Sequence, residues 1–177
     1  QAWANWLRTL GYDVDDSVWD YAPVPGGPGE REDPAALAAG YSNPAFYAAE
    51  HSDTAFLVGK ALECVETVAG RQPWALHLSL LRPHPPWLAP EPYNTMYHPD
   101  ELEPAHRHAD GPEAERAVHP YLSMAISSRQ PNEAEERRAK AVYYGLCSEV
   151  DAQLGRLFER LKAIGEYEKT LIIFTAE

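Results

Sequence analysis

Residues 74–87 read Trp-Ala-Leu-His-Leu-Ser-Leu-Leu-Arg-Pro-His-Pro-Pro-Trp, and the fold turns on how this stretch is read. Its first eight residues are rich in large apolar side chains, with Gln72-Pro73 before them and Pro83 shortly after. A short apolar run bounded by turn residues predicts a strand buried on most of both faces. A second run of this kind, Thr-Leu-Ile-Ile-Phe-Thr, occupies residues 170–175.

The strongest predicted helix lies between the two runs. Asn132 stands as N-cap, with Glu135 three residues on in the capping-box position. The apolar stripe is Tyr143, Leu146, Val150, Leu154, Leu157, Leu161 and Ile164, and Gly165 stops it. Glu133–Arg137 and Glu136–Lys140 support its first turns as i,i+4 pairs. So long a stripe would also suit a coiled coil. Gly145 and Gly155 inside it, and an apolar run directly after it, favour packing on a sheet. Strand, long excursion, helix, strand predicts an α/β fold with parallel strands and a right-handed crossover. The strands' C-terminal ends then open on one edge, where α/β sheets bind ligands. The residues standing there are 82–87 after the first strand, and Ala176-Glu177 after the second.

Working outward, Ser52-Asp53 predicts another helix start. Leu57, Ala61, Cys64, Val65 and Val68 follow at helical spacing, and Gly70 closes the helix. Trp3, Trp6, Leu7 and Leu10 before Gly11 predict a short amphipathic helix within residues 1–11. From Tyr12 to His51 no period survives, and Pro23, Pro25, Pro28, Pro34 and Pro44 mark a long loop or insertion. Residues 82–131 read as loop with one short helix near 113–127.

The chain has 177 residues, 45% of them hydrophobic and 24% charged, an ordinary balance for a globular domain. Its net charge of −12 excludes a nucleic-acid surface as the default, because phosphate attraction needs a basic face. A small anionic substrate then needs a local cation or metal working against the overall field. Sixteen prolines, about 9% of the chain against a usual ~5%, indicate long loops. No run of 18 apolar residues is present, so no membrane span is expected. Two cysteines make no disulfide framework; both are expected as buried thiols, which suggests a cytoplasmic protein.

Several side chains are candidates for chemistry. His84 sits among Pro83, Pro85 and Pro86, so its imidazole and the Arg82 guanidinium have little backbone freedom left to lose. Such stiffness suits a preorganised site; it equally suits a rigid connector whose histidine caps carbonyls. Glu177, following an apolar run, suits a divalent metal as a hard oxygen ligand, or owes its prominence only to the chain end. His106-Arg107-His108 with Asp110 reads as solvated surface. His98 and His119 precede prolines and read as turn residues, His77 as a hydrogen-bonded core histidine, and Glu149 with Asp151 as a solvated helix face. Cys64, between Glu63 and Glu66, lacks the surroundings of an activated thiol.

Residues 77–97, His-Leu-Ser-Leu-Leu-Arg-Pro-His-Pro-Pro-Trp-Leu-Ala-Pro-Glu-Pro-Tyr-Asn-Thr-Met-Tyr, resemble the stretch around the active-site histidine of type I sulfatases. They are closer still to the phosphonate monoester hydrolases of the alkaline phosphatase superfamily. The resemblance continues in order through EHSDTAFLVGKAL (50–62), AERAVHP (114–120) and the block 143–175. It implies an alkaline-phosphatase-like three-layer fold with a mostly parallel central sheet, of which residues 1–177 form part of one catalytic domain.

The resemblance also implies a metal-dependent hydrolase of sulfate, phosphate or phosphonate esters, acting on a small anionic ester. In that family a cysteine within Cys-x-Pro-Ser-Arg becomes the formylglycine nucleophile, and a divalent cation (calcium, manganese, magnesium or zinc) polarises the ester. His84 matches the pocket histidine and Glu177 the position of a metal-binding aspartate; Arg82, held beside His84 by the same prolines, is the expected substrate-binding residue. Cys64 is followed by Val-Glu-Thr and Cys147 by Ser-Glu-Val, so neither is the formylglycine site. The sequence is therefore expected to be an interior piece, inactive alone, of a larger enzyme, and its long proline-rich loops, which need something to pack on, suggest a homo-oligomer. The reading from another class is a non-catalytic binding or assembly module that keeps the scaffold.

Overall fold

The computed structural model describes residues 2–14, 44–84, 87–104 and 132–176. The expected helix near 113–127, the His106–His108 cluster, most of the 12–51 loop and Glu177 lie outside the described residues. Three α-helices organise the rest. Helix α1 spans Ala2–Thr9, α2 spans Asp53–Val68 and α3 spans Glu133–Ala163. Short 3-10 turns occupy Ala49–His51, Pro99–Glu101 and Tyr167–Lys169.

Each helix begins or ends where its sequence signals stand. The Ser52 hydroxyl accepts from the Ala55 N–H at 3.0 Å and caps α2. At α3 the Asn132 side chain accepts from the Glu135 N–H, and the Glu135 carboxylate accepts from the Asn132 N–H, completing the capping box. Gly11, Gly70 and Gly165 end the three helices with φ of +89°, +70° and +71°, a conformation open to a residue without Cβ. Along α3, the expected Glu133–Arg137 pair is made at 2.7 Å.

Helices α2 and α3 bury a shared core of Val58, Val65, Leu157 and Leu161. Trp74, Leu76, Leu78 and Leu80 pack onto it from one side of the 74–81 segment, while Ala75, His77, Ser79 and Leu81 face outward. That alternation is the period-2 signature of extended chain. It corrects the expectation of a run buried on both faces, and of His77 as a core residue. Among the described residues no strand ladder forms at 74–81 or at 170–175, so the parallel sheet and its crossover hand are not displayed. Ladder pairing requires a second chain segment alongside. Residues 171–174 are exposed apolar chain, with Leu171 at 84% and Phe174 at 78%.

A second cluster joins Ala89, Val142 and Leu146, with Trp87 and Tyr93 against it. Here α3 lies so close to the 87–97 segment that a Cβ on Gly145 would overlap the Tyr93 carbonyl oxygen. Helix α1 packs by aromatic edges. Trp3 meets Tyr47 at 5.2 Å between centroids, Trp6 meets Phe56 at 5.2 Å, and the Trp3 indole N–H donates to the His51 carbonyl at 2.8 Å. No helix among the described residues is long and apolar enough to cross a membrane.

Candidate functional site

The tip of the 74–81 segment, the N-terminus of α2 and the middle of α3 meet around a set of buried polar side chains: Tyr47, Ser52, Asp53, Arg82 and Glu149. A charge withdrawn from water needs a partner close by. Asp53, in the first turn of α2, supplies it for Arg82: the guanidinium Nε donates to Asp53 Oδ1 at 3.4 Å. Arg82 Nη2 donates to the Tyr47 hydroxyl, also at 3.4 Å. Burial pushes the Tyr47 phenol above its ordinary range, partly opposed by the Arg82 charge.

Glu149 approaches the same group from α3 and is 1% exposed. Burial raises its pKa from 4.5 to about 7; the Ser52 hydroxyl and the Arg82 charge oppose the rise, and the Asp53 carboxylate adds to it. Its Oε1 has no hydrogen-bond partner among the described residues, and neither has the Thr54 hydroxyl. The reading of Glu149 as a solvated residue is thereby corrected, whereas Asp151 is exposed as expected. Glu149 lies three residues after Leu146 and four before Gln153, both buried, so helical geometry puts it on the inner face.

The expected site residues part ways at the 82–84 turn. Arg82 faces the interior, and its guanidinium is engaged by Asp53 and Tyr47 rather than presented at the surface. The physical reason is the Asp53 carboxylate, 29 residues earlier in the chain. His84, two residues on, is exposed. The turn between them is tied twice: the His84 N–H donates to the Leu81 carbonyl at 3.0 Å, and the Trp87 indole N–H to the Pro83 carbonyl at 3.0 Å. Glu177 lies outside the described residues.

Among the described residues, no group of three or more His, Cys, Asp or Glu side chains is arranged to hold a metal ion. Cys64 is exposed, contrary to expectation, and Cys147 is half-buried with its thiol pKa raised by burial. His98 does serve a turn, its Nδ1 accepting from the Asp100 N–H at 3.4 Å. Sequence reading did not single out Tyr47, and it met Asp53 only as part of a helix start. Their partner Arg82 is remote in sequence, so no local signal marked them.

The sulfatase family model matches residues 4–177. The multifunctional alkaline phosphatase superfamily protein PehA of Trinickia caryophylli is 32% identical over the whole chain, which covers 35% of that protein. The phosphonate monoester hydrolase SpPMH from Silicibacter pomeroyi superposes with a TM-score of 0.77 at 36% identity, over 97% of this chain and 34% of its own. The phosphonate monoester hydrolase of Agrobacterium radiobacter gives 0.79 at 34% identity, over 98% and 35%. The chain thus spans about a third of the length of the relatives it matches.

Proposed function

This chain belongs to the sulfatase family, and from that premise we propose that its protein hydrolyses sulfate, phosphate or phosphonate esters. The observation that carries this reading is the likeness to two phosphonate monoester hydrolases, at 34–36% identity over nearly the whole chain. Small anionic esters are the proposed substrates, in a cytoplasmic homo-oligomer.

His84 is the proposed catalytic residue of this segment. Its exposed imidazole sits on a turn closed by two hydrogen bonds, so it offers a fixed polar group to an anion or to a leaving-group oxygen. Arg82 holds that turn from inside instead of touching the ester. Glu177 stays a proposed ligand of the divalent cation that the family uses as a Lewis acid. The described residues contain no group of three or more His, Cys, Asp or Glu side chains that could hold a metal ion. Nor does the chain contain the Cys-x-Pro-Ser-Arg from which formylglycine is made, so the 177 residues alone are expected to turn over no substrate.

The test is a steady-state panel on the complete protein with an aryl sulfate, an aryl phosphate monoester and diester, and an aryl phosphonate monoester. Turnover of at least one is expected. Failure on all four would favour a binding or assembly module built on the same scaffold.

A further inference from the structure

Arg82 and His84 belong to one tight turn and face opposite ways, inward and outward. Between them the backbone has little play, because the His84 N–H is bound to the Leu81 carbonyl and Trp87 clips the Pro83 carbonyl. Leu80 and Trp87 pack the two flanks of the turn onto the core, and the Arg82 side chain ties the turn itself to α2 and to Tyr47. Its guanidinium meets Asp53 at the capped start of α2. It also meets the hydroxyl of Tyr47, whose ring is wedged edge-on between Trp3 at 5.2 Å and Phe46 at 5.1 Å. Both anchors are therefore rigid: one is a helix terminus, the other an aromatic cluster.

We infer that Asp53 and Tyr47 are positioning residues for His84, acting through the buried Arg82 guanidinium. The inference rests on the reading of His84 as the group that meets the ester. Catalytic side chains must be held within about 0.5 Å of their productive place by such supporting contacts, and a misplacement of ~1 Å costs on the order of 100-fold in rate. Asp53→Asn keeps the shape of the anchor and removes its charge; Tyr47→Phe removes one hydroxyl oxygen and leaves the ring packing intact.

The experiment is a double-mutant cycle in the complete protein, on whichever aryl ester it hydrolyses fastest, with folding checked by circular dichroism. Asp53→Asn and Tyr47→Phe are each expected to lower kcat by about tenfold or more with KM little changed, since an interaction felt only in the transition state acts on kcat. Placed on His84→Ala, neither should lower kcat further, because residues acting as one unit are not additive. A loss that persists undiminished in the His84→Ala background overturns the inference, as does an unchanged kcat in both single variants. Tyr47→Phe keeps the test alive if Asp53→Asn does not fold. An unchanged kcat in His84→Ala alone overturns the reading of His84 itself, which is a separate result. Independently of turnover, the imidazole Cε1–Hε1 resonance of His84, assigned by its loss in His84→Ala, should move in Tyr47→Phe and Asp53→Asn. An unmoved resonance overturns the inference even in a protein that hydrolyses no ester.

Discussion

Arg82 Nε lies 3.4 Å from Asp53 Oδ1, and the two side chains are 1% and 8% exposed. The pair ties the turn before His84 to the first residue of α2. Buried ion pairs add little net stability when both members are present, but deleting one member strands the other charge.

Arg82→Ala is therefore expected to cost about 3–5 kcal/mol, the range for an uncompensated buried charge. Urea unfolding of the protein and the variant measures it. A loss below about 1 kcal/mol, as for an exposed pair, would show that Asp53 reaches water or another cation.

Glu149 makes stability depend on pH. Its folded pKa of about 7 is above the ordinary 4.5, so the folded state holds the proton more tightly than the unfolded chain. The contribution is fully present below pH 4.5 and is lost as pH rises through about 7, to a total of roughly 3 kcal/mol. Ser52, Asp53, Arg82, Tyr47 and Tyr93 surround the carboxyl, and Arg82 limits the loss. Glu149→Gln, neutral at every pH, should flatten the stability profile between pH 5 and 8. A profile as steep as that of the unaltered protein would assign the slope to another group.

The two glycines inside α3 should respond oppositely to alanine. At Gly145 a Cβ would meet the Tyr93 carbonyl, so Gly145→Ala should destabilise by about 1–3 kcal/mol through overpacking. At Gly155 nothing among the described residues lies within 4 Å, and alanine should stabilise by roughly 0.5–1 kcal/mol through helix propensity. Thermal unfolding of the two variants checks both signs.

Local structure was legible wherever a signal is local. Ser52, Asn132 with Glu135, and the three terminal glycines all stand where caps and stops were expected, because caps join residues within a few positions of each other. The phase of the α3 stripe was harder to read. Tyr143, Val150 and Leu154 drew it to one side, while the buried face runs through Val142, Leu146, Glu149, Gln153 and Leu157. A hydrophobic period cannot register polar residues that lie on the buried face, and Glu149 was missed for that reason. In the same way, 74–81 was legible as extended chain but not as one-sided, since its outer residues include Ala75 and Leu81. Arg82 and His84 were both singled out by their proline setting. What separates their roles is Asp53 and Tyr47, 29 and 35 positions away, a distance that no motif spans.

Turnover by His84→Ala in the complete protein is the most direct measurement, made on the aryl ester that the unaltered protein hydrolyses fastest. The expected result is a kcat lower by about 10²–10⁴, the contribution typical of a positioned acid or base, with circular dichroism unchanged. Equal kcat in the two proteins would contradict the assignment of His84 to the site and leave the turn it occupies as scaffold alone.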